Sequence, residues 1–135
     1  AGIIPAGMEM MDNFSLNAEE DTVGTNCYPR DAVAILLIEV DGAPAEVAAS
    51  AKQIEAFCYK NGARQLTHAT EAEERGRLWK GRKAAFAAMG QISPDYYVQD
   101  GVIPRTRLPE VLKEIEQLGA QHGYRVANVF HAGDG

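Results

Sequence analysis

A chain of 135 residues, 46% of them hydrophobic, can bury one core and is too short for two domains. Its longest wholly apolar run, Ala32 to Ile38, falls far short of the roughly 20 residues that span a bilayer. A net charge of -6, with no pooled block of basic residues, argues against non-specific nucleic-acid binding.

The opening AGIIPAGMEMMD has neither the basic start nor the long apolar core of a signal peptide. Residues 1–5 read as the remnant of a strand, followed by a short helix around Met8 to Asn17. The stretch NAEEDTVGTNCYPRD, with Gly, Pro and clustered polar residues, reads as a loop. AVAILLIEVDG is a buried strand closed by an Asp-Gly turn. From Pro44 to Asn61 a helix is expected, with Pro44 in its first turn, Val47, Ala51, Ile54 and Cys58 along one face, and Gly62 as its stop. Residues 63–69 read as a short strand, 72–89 as a second long helix and 95–104 as another strand. Leu108, Val111, Leu112, Ile115 and Leu118 mark a third long helix, with Pro109 near its start and Gly123 after its end. YRVANVFHA supplies the last strand.

Such alternation of strands and helices is compatible with a parallel α/β sheet. However, no strand leads through a glycine-rich nucleotide turn into a helix, and several strands alternate in polarity. The expected fold is therefore α+β: an antiparallel sheet with helices packed on one face, built from ferredoxin-like elements. The two cysteines, Cys27 and Cys58, form no Cys-x-x-Cys and fit reduced thiols in a cytoplasmic protein.

Two positions invite chemistry. In RLWKGRKAAFAAMG, a helical period of about 100° per residue puts Arg82 in one quadrant with Trp79, Phe86 and Met89. A guanidinium inside an apolar stripe needs an anion. It is either a structural salt bridge or a side chain snorkelling at the rim, or else an open fork for a substrate carboxylate. In the closing strand, period-2 alternation places Arg125, Ala127, Val129 and His131 on one face. His131 is either a hydrogen-bonded structural residue or a proton acceptor or metal ligand at the end of that row. His68 and His122 are explained by solvation or capping. EAEERGR reads as a solvated helix start. The sequence contains no P-loop, no Gly-x-Ser-x-Gly elbow, and no defensible pair of catalytic carboxylates.

PAGMEMMD, CYPRDAVAILLIEVDG, LWKGRKAAF, SPDYYVQDGVIPRTRLPEVL and RVANVFHAGDG together carry a resemblance that covers essentially the whole chain. It resembles the C-terminal, substrate-side part of the FAD-linked 2-hydroxy-acid oxidases and dehydrogenases, with its closest likeness to the bacterial glycolate-oxidising members. In that family the last motif continues as His-x-Gly-Asp-Gly-Asn-x-His, of which His131, Gly133, Asp134 and Gly135 are present. The resemblance thus implies that residues 1–135 form a single truncated cap domain from a larger flavoprotein, without its FAD-binding domain. It further implies that Arg82 grips the carboxylate of a 2-hydroxy acid and that His131 accepts the hydroxyl proton, while FAD takes the hydride.

Some relatives bind a divalent metal through the two motif histidines and a carboxylate. Here that leaves His131 as the one matching ligand, and no tight metal site is expected. Members acting on a dicarboxylic hydroxy acid carry threonine and lysine where Phe86 and Val98 stand, so a small monocarboxylic acid, glycolate or D-lactate, is expected. The resemblance also implies further oxidase subunits or a respiratory electron acceptor, reached at the cytoplasmic side of the inner membrane. Exposed apolar surface would allow a homodimer, and the chain alone is expected to be inactive. The competing expectation is a ferredoxin-like ligand-binding or interaction module without catalysis.

Overall fold

Gly7–Asp12 forms the central strand, β1, of a three-stranded antiparallel sheet in the computed structural model, which describes residues 2–133. One edge is β2, Ala34–Glu39, and the other is β3, Val129–His131. The helices are α1 (Asn13–Thr22), α2 (Pro44–Lys60), α3 (Ala72–Ile92) and α4 (Leu108–His122), the last preceded by a 3-10 turn at Arg105–Arg107. The α+β class and the antiparallel sheet are as expected, but several element boundaries differ.

Directly opposed residues of an antiparallel pair share a face. The register therefore puts Gly7, Glu9 and Met11 on the same side as Ile35 and Leu37 of β2 and Val129 and His131 of β3. This side carries the core: Met11, Leu16 of α1, Tyr28 and Ala85 of α3 are buried together, with Ile35, Leu37, Leu78 and Val129 packed around them. Along α3 the buried positions are Gly81, Ala85 and Ala88. Phe86, placed inside the apolar stripe by periodicity, instead lies mostly exposed and edge-on to Tyr96, with ring centroids 5.7 Å apart. Small residues let α3 lie close to its neighbours, and the large apolar ones flank the contact.

The strand expected at residues 1–5 and the helix expected from Met8 are both displaced. Met and Glu are good helix formers, yet Met8 to Asp12 is extended because β1 is paired along both edges. Asp12 then starts α1 as its N-cap, accepting the Ser15 N–H at 2.8 Å. The Glu-Glu-Asp run assigned to a loop belongs to α1. The carboxylate of Glu20 organises the loop after α1, accepting the N–H groups of Asn26, Cys27 and Tyr28 at 2.9, 3.0 and 3.2 Å. Glu19 is fully buried, and burial, reinforced by the neighbouring Glu20 charge, pushes its carboxyl above the ordinary range.

Residues 63–69 and 95–104, expected as strands, lie outside the sheet. Pro94, Gly101 and Pro104 punctuate the second segment, and proline cannot donate to a ladder. The last strand is shorter than expected. Helix α2 matches closely, with Pro44 at its start and Gly62 at a φ of 87° after its end. Helix α4 ends at Gly123, whose φ of 74° suits glycine, and Tyr124 N–H returns to the Gly119 carbonyl at 2.8 Å.

Candidate functional site

The sheet face and α3 meet in a simple register. Gly7 lies under the ring of Trp79, and a Cβ there would already stand 3.5 Å from it. One step along β1, Glu9 reaches Arg82, and one step further Met11 joins the core with Ala85. Strand positions two apart thus meet successive turns of the helix. Tyr28 holds α3 from its other side. Its hydroxyl donates to the Leu78 carbonyl, and its ring fills the space that a Cβ on Gly81 would need. Burial and the adjacent Glu19 charge push the Tyr28 phenol well above its usual range, so this hydroxyl remains a donor.

Arg82 Nη2 approaches Glu9 Oε2 at 2.6 Å, and His131 Nδ1 approaches the other oxygen, Oε1, at 2.5 Å. Glu9 and His131 are also directly opposed in the β1–β3 register, so backbone pairing sets their distance. Of the readings open for Arg82, an internal ion pair is therefore realised. The contact lacks the alignment of a hydrogen bond, however, and the buried Arg82 Nε has no hydrogen-bond partner among the described residues. Arg82 is not used as a bidentate fork, and part of its donor capacity is unspent.

The strand carrying His131 is fastened by Asp12, whose Oδ2 accepts both the backbone N–H and the side-chain amide of Asn128, at 2.7 and 3.0 Å. Arg82, Asn128 and His131 line one hollow of about 540 Å3, with Asp100, Ile103 and Leu112 on its far walls. A volume of that order suits a small ligand. Among the described residues of this lining Arg82 is the one guanidinium, and Asp100 adds a negative charge. His131 also borders a smaller hollow of about 260 Å3 beside Arg105, whose Nη1 donates to the Gly133 carbonyl at 3.0 Å.

The two residues singled out by sequence thus come together, joined by Glu9, which the sequence shows within PAGMEMMD without giving it a role at the site. The signal for Glu9 is a lone acid sharing a strand face with Gly7 and Met11, unreadable while Met8 to Asp12 is taken as helical. Phe86 and Val98 do not line the hollow; Gln99 and Asp100 of the neighbouring segment do. His68 faces Glu55 at 3.7 Å, and His122 sits in the last turn of α4. Asp134 and Gly135 of the closing motif lie outside the described residues.

A metal at His131 would need companions, and the described residues contain no group of three or more His, Cys, Asp or Glu side chains able to hold one. One common resting place for a dinucleotide's pyrophosphate is an open helix N-terminus. Here α1 begins on the Asp12 carboxylate, and α2, α3 and α4 carry Glu46, Glu73 with Glu74, and Glu110 in their first turns. These acids repel phosphate, so none of these four helix starts suits a pyrophosphate. No helix among them is long and apolar enough to cross a membrane.

A helix-backed sheet thus brings a guanidinium and an imidazole to one hollow, and a known family shares this sequence. The match is direct: residues 1–135 fit the family of FAD linked oxidases, C-terminal domain, and the chain belongs to it. It is 52% identical over 134 residues to glycolate oxidase subunit GlcD of Escherichia coli, covering 99% of this chain and 27% of that protein. The GlcD subunit of Bacillus subtilis is 33% identical over 135 residues, covering all of this chain and 28% of the relative. A probable mitochondrial D-lactate dehydrogenase of Danio rerio is 26% identical over 140 residues. The chain therefore spans about 27% of the length of such relatives.

Proposed function

We propose that this chain is the substrate-side part of a larger FAD-dependent oxidoreductase that oxidises a small 2-hydroxy acid, glycolate or D-lactate, to the 2-oxo acid. The observation that carries the proposal is the convergence of Arg82 and His131 on Glu9 at the wall of a single hollow. Arg82 brings a permanent positive charge and an unspent Nε to the substrate carboxylate. His131 stands beside it as the acceptor of the hydroxyl proton. The redox step belongs to the flavin, which the family name supplies and which the rest of the parent protein holds.

A monocarboxylic substrate is supported by the hollow itself rather than by Phe86 and Val98. Its described lining offers one guanidinium, and the acid of Asp100 disfavours a second carboxylate. Glycolate and lactate chemistry is in the names of the relatives, and the word subunit in two of them supports assembly with further oxidase subunits.

The test uses the full-length parent enzyme with dye reduction as the readout. Wild-type enzyme should reduce the dye with glycolate or D-lactate. Losing a charge-assisted contact costs about 1.5–3 kcal/mol, so Arg82→Ala should raise KM roughly 10- to 100-fold and lower kcat. Unchanged KM in that variant would remove Arg82 from the substrate.

A further inference from the structure

We infer that the exposed apolar surface formed by Phe86, Tyr96, Tyr97, Val98 and Val102 is a docking surface for the flavin-holding part of the parent polypeptide. The inference rests on the reading above, in which this chain is the substrate-side part of such a protein, and it adds the place where the two parts meet.

Residues 95–104 have the composition of a strand, with Tyr-Tyr-Val and Val-Ile among them, yet lie outside the sheet. Side chains of this kind are ordinarily turned inward. Here every residue from Asp95 to Pro104 except Ile103 is exposed, with Tyr97 at 87% and Val102 at 85%. Helix α3 adds to the same surface. Phe86 meets Tyr96 edge to face, and Tyr96 also lies against Gly90, where a Cβ would stand 3.8 Å from its ring. Apolar side chains scattered singly over a surface need no explanation. Aromatic and β-branched residues that follow one another along the chain and reach across to a helix form a patch, and such patches mark contacts. An aromatic side chain buries about 150–250 Å2 when covered. Three rings and two valines therefore go far toward an inter-domain contact, which runs to about 600–1,500 Å2. The polar rim of such a contact is present in Asp95 and Gln99, both exposed.

Two observations name the occupant. The chain spans about 27% of the length of its relatives, so most of the parent polypeptide lies outside it and is tethered to it. A tethered partner meets the patch at high effective concentration. The patch also runs directly into the candidate site: Gln99 to Ile103, the residues that follow Val98, wall the hollow beside Arg82. A flavin that reacts with an acid held at Arg82 has to approach across the rim of that hollow, and this segment is part of the rim.

The experiment is hydroxyl-radical footprinting of the full-length, flavin-loaded parent subunit, prepared alone, with mass spectrometry at Tyr96 and Tyr97. Each tyrosine's rate is compared with its rate in the urea-unfolded parent. Tyr97 should react on the order of tenfold more slowly in the folded protein, as a ring in a water-free contact does. A Tyr97 that reacts about as fast folded as unfolded, as its exposure here would give, overturns the inference. Protection that disappears on dilution, or that arises only when further subunits are added, assigns the surface to a second copy or to another subunit and equally overturns it. In a second arm, Tyr97→Asp should release flavin at a urea concentration that wild type and Tyr124→Asp both tolerate, Tyr124 being 75% exposed and remote in sequence from the patch. A Tyr97→Asp parent as resistant as wild type counts against the inference. Should that variant fail to fold, the wild-type footprint still decides. Dye reduction by the same preparation separates the two readings. A parent that oxidises glycolate with Tyr97 fully reactive loses the docking surface alone. One that protects Tyr97 but oxidises no 2-hydroxy acid loses the proposed substrate alone.

Discussion

Asp12→Ala is the substitution that asks most of this fold for the fewest atoms removed. One carboxylate oxygen caps α1 through the Ser15 N–H at 2.8 Å; the other receives the Asn128 backbone N–H at 2.7 Å and its side-chain amide at 3.0 Å. Loss of an N-cap costs about 0.5–2 kcal/mol. A part-buried backbone N–H left without its acceptor adds about 1–3 kcal/mol. Because both effects act at one junction they are not fully additive, and about 2–4 kcal/mol is expected. Urea unfolding followed by circular dichroism measures this, as a lower midpoint at unchanged slope. Asp12→Ser, which keeps a cap oxygen but cannot reach both partners, should fall between Ala and wild type. Since Asn128 leads directly into β3, the loss should also loosen His131, with faster amide exchange at Val129 to His131 than at β2. An Asp12→Ala chain within about 0.5 kcal/mol of wild type, the lower bound for a lost cap, would refute the argument that this carboxylate ties α1 to the strand bearing the imidazole.

Three further outcomes are expected. Gly81→Ala puts a Cβ 2.6 Å from Tyr28 Cε2 and 2.9 Å from its Oη, so it should destabilise by about 1–3 kcal/mol, and a Tyr28→Ala background should remove most of that cost in a double-mutant cycle. Glu19→Gln should stabilise at pH 7 by about 1–3 kcal/mol, the order of a buried group's desolvation cost, because it removes a negative charge that burial and the adjacent Glu20 both disfavour. The folded carboxyl is raised by burial and by Glu20, so the wild-type fold holds its proton more tightly than the unfolded chain and loses stability as pH rises through that raised value. The advantage of Gln should accordingly shrink as pH falls toward and below the ordinary carboxylate range, and an advantage constant with pH would contradict it. Finally, FAD added to the purified 135-residue chain should remain free by fluorescence, since acids occupy the helix N-termini, one common resting place for its pyrophosphate.

Local signals carry the parts of the fold that are locally determined. Pro44 and Gly62 frame α2, and Gly123 ends α4, because proline and glycine restrict or free backbone angles whatever the surroundings. The face of β3 is likewise readable, since strand alternation alone puts Val129 and His131 together. The features that escape depend on partners far along the chain. Met8 to Asp12 carries helix-forming residues and becomes a strand because β2 and β3 pair with it on both sides. Residues 95–104 look strand-like and find no ladder. Glu9 is hidden by the same error: read as helical, it lies on no particular face, and read as the middle of a central strand, it points at α3 between Gly7 and Met11. Arg82 is recognisable because a charge in an apolar stripe is visible within one helix, while the identity of its counter-ion is not.

The central claim is that Arg82 and His131 serve one bound acid. It is tested most directly by titrating the full-length parent enzyme with oxalate, an unreactive carboxylic acid, while following the 15N-labelled ring of His131. The expected result is a saturable shift of the His131 signals in wild type that vanishes in Arg82→Ala over the same concentration range. Oxalate binding that persists undiminished in Arg82→Ala, or that leaves the His131 ring untouched at saturation, would contradict it.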